Sequence, residues 1–159
     1  MYNVLAVANT FLRNGKMSGI GIPPMSLNYL CFLAYGYCAG CTEKPLFHQE
    51  ILVSNTGPRI MCLYEEFKNF GSFAITRYAE MQEDENKFID VSDEDSNFII
   101  NEIWRQYKHY NPMELSMLCH NETSLWYKLN SELKSAFSFE DMKEFYKKLI
   151  TKNGADVQC

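Results

Sequence analysis

Residues 26–39 read SLNYLCFLAYGYCA, and no charged residue occurs between Lys16 and Glu43. A helix on a protein surface carries one apolar stripe and one polar face. Here Leu27, Tyr29, Leu30, Cys31, Phe32, Leu33, Tyr35 and Tyr37 pass right round the axis, so the segment predicts a buried helix that the other elements wrap. A membrane span is the competing reading. The continuous apolar run begins only at Tyr29, however, and Pro23, Pro24, Asn28, Gly36 and Gly40 interrupt the remainder, short of the roughly 20 residues a bilayer requires. Ser26 is the expected N-cap.

The 159 residues suit one hydrophobic core, and 47% of them are hydrophobic, enough to fold without disulfides or metal. A single domain is expected over residues 1–150, with residues 151–159 as a frayed polar tail. Twenty acidic against fifteen basic residues give a net charge of −5. That balance argues against a phosphate-binding surface, because nucleic-acid affinity rests on Lys and Arg, and it suits a basic protein partner. With no basic lead before the apolar residues of the N-terminus, no leader peptide and a cytoplasmic location are expected.

Outward from the central segment, Val4, Leu5, Ala8, Phe11 and Leu12 recur at helical spacing, predicting a helix over residues 3–13 closed by Asn14-Gly15. Residues 50–53 read as a short strand. A turn over residues 54–57 leads to a helix with Pro58 in its first turn, Ile60, Met61, Tyr64 and Phe67 inward, and its end at Gly71. FAITRY, residues 73–78, reads as a second strand pairing with residues 50–53. Helices follow over residues 94–110, with Phe98, Ile99, Ile103, Trp104 and Tyr107 on one face, and from Asn111-Pro112-Met113-Glu114, a cap with a first-turn proline, to His120. After a break at residues 121–124, Leu125-Trp126-Tyr127 resumes, and Ser138 opens a last helix with Met142, Phe145, Leu149 and Ile150 at core spacing. The fold class is mainly α (α+β): a helical bundle around a buried central helix, with a small two- or three-stranded antiparallel sheet.

Candidate chemistry is sparse. Cys38 and Cys41 form CAGC, the spacing of a redox pair or half a zinc site, but no second CxxC and no redox βαβ context accompany it. The six cysteines read as buried or loop thiols, with Cys159 free at the tail. Among His48, His109 and His120, the last sits beside Asn121 and Glu122, yet close to Trp126, where a hydrogen-bonded structural histidine is the better reading. No nucleophile elbow, Walker loop, HExxH or dinucleotide fingerprint occurs. No catalytic residue, cofactor or metal ligand is therefore assigned. Glu83-Asp84-Glu85 with Asp90, Asp93, Glu94 and Asp95 reads as a solvated loop and acids favourably placed at a helix N-terminus; a docking patch for a basic partner is the sharper alternative.

The order of motifs says more. Pro45-Leu46-Phe47, then Glu50, Gly57-Pro58 and LYEEFKNFG at residues 63–71, resembles the signature of the Panacea domain, a phage-associated antitoxin family formerly known as a domain of unknown function. The helix at residues 27–36 is similar to that family's first long motif. NPMELSMLCHNETSLW, residues 111–126, is similar to its later ELS…H…W motif, with Leu115, Ser116, His120 and Trp126 on the matching positions. The resemblance spans residues 4–150. Val53-Ser54 stands where the family usually has Ala-Trp, and Tyr29 and Phe32 where it has a Lys and a Tyr.

What the resemblance implies is an antitoxin that neutralises a toxin encoded by an adjacent gene through direct binding. Some relatives instead deliver the toxin to a protease, so a protease adaptor or prophage-linked regulator is the alternative. An enzyme built on His120, Glu122 and the CAGC pair is a third. Some relatives carry a DNA-binding domain, and none is expected within this length. The motif positions Gly57, Pro58, Leu63, Tyr64, Phe67, Leu115, His120 and Trp126 are candidates for structural or contact roles. Residues 53–59 could offer free N–H donors to a partner's acidic group before a helix N-terminus, or Gly57-Pro58 could simply make the turn.

Overall fold

The computed structural model describes residues 1–80, 90–152 and 156–159. Its hub is helix α2, Pro24–Thr42, buried from Ser26 to Gly40 except at Asn28. A helix apolar all round can persist only where other elements cover every side. The cover comes from α1 (Val4–Ser18), α3 (Met61–Phe67), α4 (Glu94–Tyr107), α5 (Pro112–His120) and, most extensively, α7 (Phe139–Thr151). The short helix α6 (Leu125–Ser131) joins α5 to the last strand. The described residues thus hold seven α-helices and one small sheet, the mainly α class expected.

Helix ends fall differently from the expectation in two places. The α2 N-cap is Pro23, with Pro24 at the first position, while Ser26 lies within the first turn and is buried. Proline loses nothing at the first helical position, where its missing N–H would have no partner. Helix α1 runs past Asn14-Gly15 to Gly19, whose φ of 67° ends it. Gly15 is not a stop but a close approach: a Cβ there would stand 2.7 Å from the Ile20 carbonyl oxygen. Two polar residues on the buried face of α1 carry connections. The Asn9 side-chain carbonyl accepts from the Ala79 N–H at 2.7 Å, and Thr10 Oγ1 accepts from the Val91 N–H at 3.1 Å.

The sheet has the antiparallel order β2-β1-β3, with β1 at Ile51–Ser54, β2 at Gly57–Arg59 and β3 at Ala136–Phe137. Its register pairs Leu52 with Arg59, Val53 with Pro58, and Ile51 with Phe137. Pro58 therefore belongs to a strand, not to the first turn of a helix, and α3 begins at Met61. An edge strand tolerates a residue with no N–H to donate. Residues 73–78 are not a strand. Their backbone instead follows the α1–α2 connection, with the Ile75 N–H donating to the Ile22 carbonyl at 3.0 Å.

The C-terminal residues also correct the expectation of a frayed tail over residues 156–159. Val157 is 1% exposed, the Asp156 carboxylate accepts from the Tyr107 hydroxyl, and Cys159 is disulfide-bonded to Cys41. Burial first, and then the hydrogen bond to Asp156, holds the Tyr107 phenol protonated far above its ordinary range. Of the acidic run, Asp93 caps α4 by accepting from the Ser96 N–H at 2.9 Å, and Glu94 and Asp95 fill the first turn. Asp90 pairs with Arg13. Glu83-Asp84-Glu85 lie outside the described residues. Among those described, no helix is long and apolar enough to cross a membrane.

Candidate functional site

The β1–β2 hairpin is held on the helical frame by a set of polar contacts that gathers four of the eight motif positions, Gly57, Pro58, His120 and Trp126. Ser54 shapes the turn, its hydroxyl donating to the Gly57 carbonyl at 2.7 Å. Trp126 Nε1 of α6 donates to the Ser54 carbonyl at 2.7 Å. From α2, the Tyr29 hydroxyl lies 3.3 Å from both the Thr56 carbonyl and Ser116 Oγ. Ser116 in turn shares a hydrogen bond of 3.1 Å with His120 Nδ1, and the His120 ring meets Trp126 edge-on at 5.3 Å. Burial raises the Tyr29 phenol pKa, with the Ser116 hydrogen bond opposing it, so the phenol remains a neutral donor at physiological pH.

Gly57 is the pivot of this arrangement. Its φ of 113° is one that side chains rarely adopt, and a Cβ there would lie 3.3 Å from the Tyr29 hydroxyl and 3.4 Å from His120 Nδ1. Asn28, the lone amide in the apolar helix, ties the next step. Its Nδ2 donates to the Pro58 carbonyl at 2.9 Å and its Oδ1 accepts from the Ile60 N–H at 3.0 Å. One side chain thereby fixes both the end of β2 and the residue that precedes α3.

Of the motif residues, Gly57, Pro58, His120 and Trp126 converge on the hairpin. Leu63 and Tyr64 lie on α3 across a groove from α2, while Phe67 and Leu115 are core residues at 1% exposure and do not reach the site. Several N–H groups at the start of α3, where donors for a partner's acidic group are expected, have partners within the chain. Residues 54–60 are strand, turn and cap; the Ile60 N–H is bound by Asn28, and the Leu63 and Tyr64 N–H groups donate to the Ile60 carbonyl, each at 3.2 Å.

The groove has a volume of about 320 Å³. Pro24 and Met25 form one wall, Leu63 and Tyr64 the other, and the cations Arg59 and Lys68 stand on the α3 side. Met25 is 43% and Tyr64 47% exposed. The Arg59 guanidinium lies over the Tyr64 ring, 5.4 Å from its centroid. Lys68 pairs with Glu65 at 2.7 Å, and that hydrogen bond raises its pKa. Sequence reasoning missed Asn28 as a site residue and took residues 53–59 for their backbone N–H groups, not for the Arg59 side chain. An amide within an otherwise apolar buried run was the available signal for the first; an exposed arginine in a strand carries none.

The remaining candidates stand apart. CAGC does not act as a pair: Cys41 is bonded to Cys159, while the Cys38 thiol lies 3.6 Å from Thr42 Oγ1, its pKa raised by burial. His48 contacts Gln49, and His109 and Glu122 are exposed. Among the described residues, no three His, Cys, Asp or Glu side chains are placed to hold a metal ion.

These features define a mainly α protein in which a short hairpin, clamped by polar contacts to α2, α5 and α6, borders an apolar groove with a basic side. The family model described as "Antitoxin SocA-like, Panacea domain" matches residues 27–127, and the chain belongs to that family. The matched span begins inside α2 and ends inside α6, so it contains the hairpin, its clamp and the α3 side of the groove, while Pro24 and Met25 precede it. No curated protein and no solved structure matches the chain.

Proposed function

We propose that this protein is the antitoxin of a toxin–antitoxin pair and neutralises a toxin encoded by an adjacent gene by binding it directly, in the cytoplasm. The carrying observation is where the family's motif residues lie. Gly57, Pro58, His120 and Trp126 lie at the hairpin and Leu63 and Tyr64 on α3 beside it, and the surface there exposes large apolar side chains at Met25, Met61 and Tyr64. Exposed apolar and aromatic groups on a rigid frame are the usual anchors of a protein interface. Sequestration of this kind requires no catalytic group, cofactor, metal or nucleic acid, and none is assigned.

Co-expression with each adjacent open reading frame, scoring growth rescue and co-purification together, tests this reading. Rescue accompanied by a stable complex is expected. Rescue without a complex, with toxin levels falling, would replace neutralisation by binding with delivery to a protease. Absence of toxicity in every neighbour would overturn the antitoxin role itself.

A further inference from the structure

Among the described residues Arg59 has no acidic partner, on a chain with more acids than bases. Among the described residues the ion pairs engage Arg13, Lys68, Arg77, Arg105, Lys143 and Lys147, and none engages Arg59. Its guanidinium carbon lies over the Tyr64 ring at 5.4 Å from the centroid, a cation–π contact that uses the charge and leaves the N–H donors for an acceptor. Lys68, one helical turn beyond Tyr64, pairs with Glu65, an exposed i,i+3 pair of the kind that exchanges partners readily.

Beside these cations the groove itself is apolar. Two of the polar side chains that line it are already engaged: the Asn28 amide holds Pro58 and Ile60, and the Tyr29 hydroxyl faces Thr56 and Ser116. Whatever enters must be apolar in the groove and anionic at its basic side. A volume of about 320 Å³ lies at the lower end of the range for ligand clefts, roughly 300–1,000 Å³. That suits one or two projecting side chains better than a whole helix face.

We infer that the groove between α2 and α3 receives a projecting segment of a protein partner that carries an aromatic or long aliphatic side chain next to an Asp or Glu. The apolar side chain sits between Met25, Leu63 and Tyr64, and the carboxylate bonds to Arg59 with Lys68 alongside. This rests on the reading of the protein as one that binds a protein toxin, and it specifies the chemistry of that toxin's contacting segment.

The direct test uses an immobilised set of heptapeptides, each with one Asp or Glu beside a Phe, Tyr, Leu or Met, together with the matching Asn or Gln peptides. Wild-type protein should prefer the acidic members by about tenfold, the scale of a charge-assisted hydrogen bond. Arg59→Gln should abolish that preference while retaining the helical circular dichroism spectrum, and Tyr64→Ala should weaken binding of acidic and amide peptides alike. Equal binding of acidic and amide peptides, no binding to either, or an undiminished preference in Arg59→Gln would overturn the inference. Co-expression separates this from the functional reading. Where wild type rescues growth, equal rescue by folded Arg59→Glu overturns the groove assignment and leaves the antitoxin role intact, whereas loss of rescue supports it. Where wild type never rescues, the antitoxin role falls and the peptide preference alone decides the groove.

Discussion

The ring of Tyr146 on α7 lies directly against Gly36 of α2, so closely that a Cβ built at Gly36 would stand 2.2 Å from Tyr146 Cε2. One turn further, a Cβ at Gly40 would stand 2.9 Å from the Tyr146 backbone. Two glycines one helical turn apart thus let α7 approach α2 more nearly than side chains would permit. The Tyr146 ring continues edge-on into Tyr37 at 5.0 Å, building the aromatic layer that closes this side of the core.

Gly36→Ala sets two opposed effects against each other. Helix propensity favours alanine by about 1 kcal/mol, but a 2.2 Å contact cannot stand without displacing the fully buried Tyr146 ring, and overpacking of this kind costs about 1–3 kcal/mol. Net destabilisation is expected in urea unfolding. An unchanged or raised midpoint would show that α7 does not sit on α2 at this distance.

Replacing Trp126 with Phe keeps the ring and removes the Nε1 donor from the Ser54 carbonyl. Leaving a largely buried acceptor without its partner should cost about 1–3 kcal/mol and loosen the hairpin, seen as faster amide exchange in residues 51–59. His120→Gln preserves a polar partner for Ser116 and should leave toxin neutralisation intact. Loss of neutralisation in a folded His120→Gln protein would instead reinstate a chemical role for the imidazole.

Cys41 and Cys159 are 118 residues apart, so their bond closes a loop over about three-quarters of the 159-residue chain. Cys159→Ser should lower stability in oxidising buffer by about 2–4 kcal/mol and change little under reducing conditions. Under reducing conditions the pair exists as thiols, and the burial of Val157 and the Tyr107–Asp156 hydrogen bond still hold the tail. Thiol labelling of the native oxidised protein provides a second check. Cys31 and Cys119, buried and with their pKa values raised by burial, should resist, and Cys62, only partly covered, should react first.

Burial acts to raise the Asp93 carboxyl, but hydrogen bonds from Tyr2, at 2.5 Å, and from Ser96 outweigh it and hold the pKa below the ordinary 3.8. A carboxyl lowered on folding stabilises the native state above its unfolded pKa. That contribution is lost as pH falls through the native value, because the unfolded chain binds the proton first. The difference in urea midpoint between wild type and Asp93→Asn should therefore be present near pH 6 and shrink as pH falls below 3.8. A difference that is constant down to acid would assign Asp93 no role as a charged cap.

What the sequence by itself determined was local. The uncharged run from Met17 to Thr42 required a buried helix, and the caps at Asn111 and Ser138, with their first-turn acids, positioned α5 and α7. Periodicity and capping act over a few residues, so they can be read without knowing the rest of the chain. The motif order carried the family, because it survives independently of where each residue lands. Only the tertiary structure decided that Ile51 pairs with Phe137 and not with residues 73–78, that Pro58 sits in an edge strand, and that Cys41 finds Cys159. It also placed Arg59 on Tyr64 at the side of a groove. These contacts join residues distant in the chain, and each is chosen by which apolar surfaces remain uncovered once the helices have closed round α2, a condition no local pattern encodes.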